Sequence, residues 1–136
     1  KCMRYKLISL DKDSLYVYYI DPSLGSTLTM ESNSTYTLAP LTRASNVDTT
    51  AGYTLILHNT EMAKVQPHGE AASDPIDYNG DATAMTCTGK SFTISSKTLT
   101  SNIVSKITII GNESGATFDI TFTVRSAEVA ELQHTV

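Results

Sequence analysis

Between Ala116 and Arg125 the chain alternates with a period of two: Phe118, Ile120, Phe122 and Val124 are apolar, and Asp119, Thr121 and Thr123 between them are polar. Successive side chains of an extended strand point to opposite faces, whereas a helix repeats every 3.6 residues. Residues 116–125 are therefore expected to form a strand with one buried face. The same rhythm recurs along the chain and restricts it to stacked or closed sheets.

Further strands are expected near Met3 to Leu10, with Met3, Tyr5 and Leu7 on one face, and near Leu15 to Asp21, the two joined as a hairpin by Asp11-Lys12-Asp13. The segment Leu15, Tyr16, Val17, Tyr18, Tyr19, Ile20 is apolar on both faces. Such a strand is either central in a sheet or covered by a neighbouring subunit, and these six residues are the candidate subunit interface. Asp21-Pro22-Ser23-Leu24-Gly25 reads as a turn, with proline preset for its second position. Shorter strands are expected at Leu28 to Glu31, Tyr36 to Leu38, Tyr53 to Leu57, Ala84 to Thr88, Ser91 to Ile94 and Ile103 to Ile110. Pro40 ends the second of these, a polar connection follows from Leu41 to Ala51, and Gly111 to Gly115 is a hairpin turn.

Gln66 to Asp81 shows no apolar period and holds Pro67 and Pro75, so a long functional loop is expected there. It closes on Asn79-Gly80, a dipeptide suited to a type I′ hairpin, which makes a strand pair around it reasonable. Residues 1–125 read as a single domain. Residues 126–136 read as a tail or a short helix, with Val129 and Leu132 at helical spacing behind Ser126.

Many short strands separated by Gly, Pro and Asn turns specify an all-β, two-layer antiparallel β-sandwich, immunoglobulin-like or jelly-roll, with a closed barrel as the competitor. The run Thr88 to Lys97, followed by Ile107-Thr108-Ile109-Ile110-Gly111 and Ala116 to Val124, resembles the closing strands of immunoglobulin-like modules of bacterial surface and phage virion proteins. The resemblance covers residues 88–124 and implies a sandwich with a structural or adhesive role.

With 136 residues the chain has the size of one domain, and 40% hydrophobic against 18% charged residues supports folding by core burial. A net charge of −4, with scattered Lys and Arg, argues against nucleic acid as a partner. No apolar run approaches the ~20 residues of a membrane span. The start at Lys1-Cys2 rather than at Met suggests removal of an upstream segment.

The two cysteines, Cys2 and Cys87, are either a disulfide, worth about 4 to 5 kcal/mol through chain entropy, or two buried thiols. His58, His68 and His134 have no second His or Cys at metal-ligand spacing, and no GxSxG, Walker-type or GxGxxG pattern occurs. Asp74, Asp77, Asn79 and Asp81 gather hard oxygen ligands near one turn and are the Ca2+ candidates, set against a plain solvated hairpin. No other cofactor is expected. Asn33-Ser34-Thr35 and Asn112-Glu113-Ser114 have the form of N-glycosylation acceptors.

These features lead to the expectation of a non-enzymatic structural subunit of an extracellular assembly at a cell or virion surface. A capsid decoration or fibre protein and a surface filament subunit both fit, with other copies of the chain or other structural subunits as partners. The alternative is an adhesin or carbohydrate-binding module that uses residues 66–81.

Overall fold

A computed structural model describes residues 27–39 and 48–127. The expected strands near Met3 to Leu10 and Leu15 to Asp21, and the segment after Ala127, lie outside the described residues. Within them run β1 (Thr27–Glu31), β2 (Thr35–Leu38), a single helical turn α1 (Asp48–Ala51), β3 (Tyr53–Leu57), β4 (Ala63–His68), β5 (Ser73–Tyr78), β6 (Asp81–Gly89), β7 (Ser91–Ser96), β8 (Ile103–Gly111) and β9 (Thr117–Arg125). The strands form a six-stranded sheet in the order β1-β9-β8-β3-β6-β5 and a three-stranded sheet in the order β2-β7-β4.

The expected all-β sandwich is present. One feature departs from an antiparallel sandwich: β1 pairs in parallel with β9, with Thr27 opposite Thr121 and Glu31 opposite Arg125. Every other pairing is antiparallel.

Alternation assigns each side chain to its layer. In β9 the even-numbered Ile120, Phe122 and Val124 are fully buried, and Asp119 and Thr121 face outward. Leu55, Leu57, Ile107 and Ile109 add to the same inner face, and Leu38, Phe92 and Ile94 meet them from the smaller sheet. Each such side chain contributes roughly 1.5–3 kcal/mol by leaving water, and this layer is the main source of stability. Strand β3 is central enough to be buried on both faces, because Ile56 on its outer side is only 5% exposed.

Two segments without a clear apolar period are strands. Residues expected as a loop from 66 to 81 comprise the end of β4, a short turn, all of β5 and the Asn79-Gly80 hairpin. Both prolines are tolerated because β4 and β5 are edge strands, where a missing N–H breaks no ladder. Pro75 also sits in a stretch where the β5–β6 register shifts, between Ser73 and Ile76. Asn79 (φ 51°) and Gly80 (φ 77°) both take positive φ, as the type I′ turn requires.

Two of the passages between the sheets meet at one end. The β4–β5 turn carries the chain from the small sheet to the large one, and Gly89-Lys90 brings it back from β6 to β7. At that corner the Lys90 N–H donates to the His68 carbonyl at 2.7 Å. A Cβ on Gly89 would come within 3.0 Å of the His68 oxygen and of the Pro67 side chain, so glycine permits the close crossing.

Two buried polar residues pin the ends of the sandwich. Asp48 has no exposed surface, and its Oδ1 accepts from the backbone N–H groups of Glu113 (2.8 Å) and Ser114 (2.9 Å). Its Oδ2 accepts from the Ser114 hydroxyl at 2.8 Å. The carboxylate thereby ties α1 to the β8–β9 turn, and a Cβ at Gly111 would overlap it. At the other end Ser96 accepts from the Ser34 N–H (2.9 Å) and donates to the Glu31 carbonyl, locking the β1–β2 connection onto β7.

Replacing Asp48 by alanine leaves two backbone N–H groups without their charged acceptor and should lower stability by about 3 kcal/mol. Urea denaturation followed by circular dichroism measures this, and a loss below 1 kcal/mol would show that water takes over the role.

Candidate functional site

The two crossings close the sandwich at one end, and a cleft opens between the edges of β4 and β5 toward the other. It measures about 320 Å³ and is lined by Ala63, Lys64 and Val65 of β4, Pro75, Ile76 and Asp77 of β5, Met85 of β6, and Thr60 and Lys97 from the connections. Its floor is apolar, since Ala63, Val65 and Met85 belong to the buried core. Its rim is charged. Lys97 is held in place by donating from Nζ to the Thr60 carbonyl at 2.7 Å.

Ile76 is 65% exposed, one of two large apolar side chains among the described residues in that condition; Val104, at 63%, is the other. Val104 is a single exposed aliphatic on β8 and needs no special account. Ile76 differs because it borders an apolar cleft and lies on the strand at the edge of the six-stranded sheet among the described residues.

The Ca2+ candidates Asp74, Asp77, Asn79 and Asp81 lie along β5, its hairpin and the start of β6. No group of three or more His, Cys, Asp or Glu side chains suited to a metal occurs among the described residues. Asp81 Oδ1 instead accepts from the Thr83 N–H (2.9 Å) and hydroxyl (2.7 Å), bonds that hold its carboxyl below the usual range. Asn79 serves as the first positive-φ residue of the hairpin.

Cys87 is a buried free thiol whose pKa burial pushes up to about 12. Its candidate partner Cys2 lies outside the described residues, as do the candidate interface residues Leu15, Tyr16, Val17, Tyr18, Tyr19 and Ile20. Both glycosylation triplets begin in turns. Asn33 accepts from the Thr98 hydroxyl at 2.6 Å, and Asn112 accepts from Thr54 and donates to the Ala51 carbonyl.

Sequence reasoning missed a polar chain on the outer face of the large sheet. The Thr108 hydroxyl donates to Asp119 Oδ1 at 2.8 Å, and His58 Nε2 lies 2.9 Å from the same Thr108 oxygen. A hydroxyl has one proton and a carboxylate only accepts, so Nε2 must carry the proton that bridges to Thr108. Lys106 pairs with Asp119 at 3.8 Å, and Tyr78 meets the His58 ring edge-on at 6.5 Å. Partial burial, helped by Lys106 and opposed by Asp119, lowers the His58 pKa below 6.5. The cross-strand register that joins these residues is long-range, and no local pattern signals it.

Among the described residues no helix is long and apolar enough to cross a membrane. No family model matches the chain, and comparison with curated proteins and with solved structures found no match.

Two outcomes are expected. In the folded protein the Cys87 peptide should resist alkylation at pH 8 and label fully in denaturant, as read by mass spectrometry, because so little thiolate forms at its raised pKa. Below pH 6.5 the unfolded chain protonates His58 before the folded one does, so stability should fall as pH drops from 6.5 through the lowered folded pKa. His58→Gln should flatten that part of the stability profile, and an unchanged slope would remove His58 as its source.

Proposed function

We propose that this chain is a non-enzymatic structural subunit of an extracellular assembly, at a cell surface or on a virion, built on an immunoglobulin-like sandwich. The observation that carries the reading is the pair of edges, β4 and β5, that no other described strand pairs with, flanking an apolar cleft beside the exposed Ile76. Exposed strand edges are templates for pairing with another chain, although Pro67 on β4 and Pro75 on β5 each remove one donor from these edges. The both-faced apolar segment from Leu15 to Ile20 offers a second surface of the same kind.

Strand order supports the immunoglobulin-like architecture. The variable-type sandwich sets G-F-C-C′-C″ against B-E-D, and here β9-β8-β3-β6-β5 faces β2-β7-β4. The connectivity departs from that pattern. The strand in the D position, β4, precedes those in the C″ and C′ positions, β5 and β6, so the positions are kept while the path between β3 and β7 is reversed.

A second reading, a carbohydrate-binding or adhesive module, is favoured by one observation. The cleft falls at the lower end of the range of ligand pockets, about 300–1,000 Å³, and Pro75, Ile76 and Asp77 bring the expected 66–81 segment to it. Asp77→Ala with Ile76→Ala separates the two readings: on a glycan array the double variant should match the wild type if the chain is structural and lose a signal if it is a module.

Sizing with light scattering across a hundredfold range of concentration tests the leading reading. Oligomers that grow with concentration are expected, and a strict monomer throughout contradicts it.

A further inference from the structure

The cleft and the both-faced apolar segment have complementary chemistry. The cleft offers an apolar floor, two strand edges without a partner among the described residues, and Lys64 and Lys97 against a single acid, Asp77. Residues 15–20 are six consecutive apolar or aromatic residues, bracketed by Asp11, Asp13 and Asp21 with Lys12 as the one opposing charge. A strand with side chains fit for burial on both faces suits a site that is walled on both sides. Backbone pairing along β5 or β4 would supply affinity, and alternate side chains entering the cleft would supply register.

Chain length decides which copy provides the strand. Ile20 precedes Thr27, the first residue of β1, by seven positions, a reach of about 25 Å when fully extended. β1 and β5 lie at opposite ends of the six-stranded sheet, five strand spacings or about 24 Å apart in a straight line through the sheet itself. A path around the sandwich is longer than that line, and the Pro22 to Gly25 turn signal shortens the connection further. With so little slack in the connection, a neighbouring copy is a better-placed donor for the cleft than the same chain.

We propose that the cleft between β4 and β5 receives residues 15–20 of a second copy of this chain as an added strand. This rests on the structural-subunit reading and gives it a direction. The donor segment leaves from the β1 end of one copy and the acceptor lies at the β5 end of the next, so the contact is heterologous. Repeated without closure, it generates a linear polymer rather than a two-fold dimer.

The test uses the full chain carrying a benzophenone amino acid in place of Ile76, prepared with natural and with nitrogen-15 isotopes and mixed before irradiation. Cross-links from position 76 to the peptide holding residues 15–20 of the other isotope are expected. Cross-links confined to one isotope place the segment in its own cleft and overturn the proposal. Cross-links elsewhere, in a chain that still assembles, also overturn it while leaving the structural-subunit reading standing; a chain that stays monomeric overturns both.

Complementation provides an independent arm. Ile76→Glu alters an exposed side chain, so folding should be retained, and V17E with Y19E disables the donor. Each variant alone should lose at least tenfold in assembly, and a one-to-one mixture should stop at heterodimers. Failure of the mixture to form any dimer contradicts the pairing.

Discussion

Water is excluded from a single layer of side chains between two sheets, and the other features of this molecule are arranged around that exclusion. Phe122, Ile107, Ile109 and Leu55 on one side and Phe92, Ile94 and Leu38 on the other leave almost no exposed surface. The layer is uneven, because six strands face three. A broad sheet covered by a narrow one must leave part of its inner face to be covered by something else. Among the described residues the cleft lies on the β6–β5 side of the broad sheet, with the buried Met85 in its lining.

Polar residues fix where that uneven layer closes. Asp48 and Ser96 bind backbone groups at chain connections, where sheet hydrogen bonds run out, and in doing so hold α1 against the β8–β9 turn and the β1–β2 turn against β7. The β4–β5 and β6–β7 crossings close the flank at their own end with Gly89 at the tightest approach. Opposite them the β4 and β5 edges border the cleft. The surface ion pairs Lys106–Asp119 and Arg125–Glu31 lie on exposed faces and add little to this, since such pairs contribute about 0–1 kcal/mol.

Much of this architecture could be read from residue order alone. β1, β2, β3, β6, β7, β8 and β9 each coincide with an expected strand, because one face is buried and the alternation survives in the sequence. β4 was hidden, although Ala63, Val65 and Pro67 do alternate inward with Lys64, Gln66 and His68 outward. A small residue and a proline on the core face carry too little hydrophobic signal to mark it. β5 has no buried face at all, so no period existed to find, and only its Asn79-Gly80 turn betrayed it. The cleft could not be anticipated, since it depends on the widths of two sheets. Asp48 left only a faint trace, an isolated acid just before Gly52 in a polar connection. Of the acidic residues near the hairpin, Asp81 is engaged locally by the Thr83 N–H and hydroxyl, bonds that no sequence spacing announces.

The central claim is that the open flank of the sandwich is completed by another copy of the chain, and amide hydrogen exchange measured as a function of protein concentration tests it most directly. Protection should rise with concentration at residues 63–68 and 73–78, the two edges of the cleft, while β3 and β8 stay equally slow at every concentration. Exchange at both edges that is independent of concentration, or protection that grows on the β1 and β2 edges alone, would contradict the account.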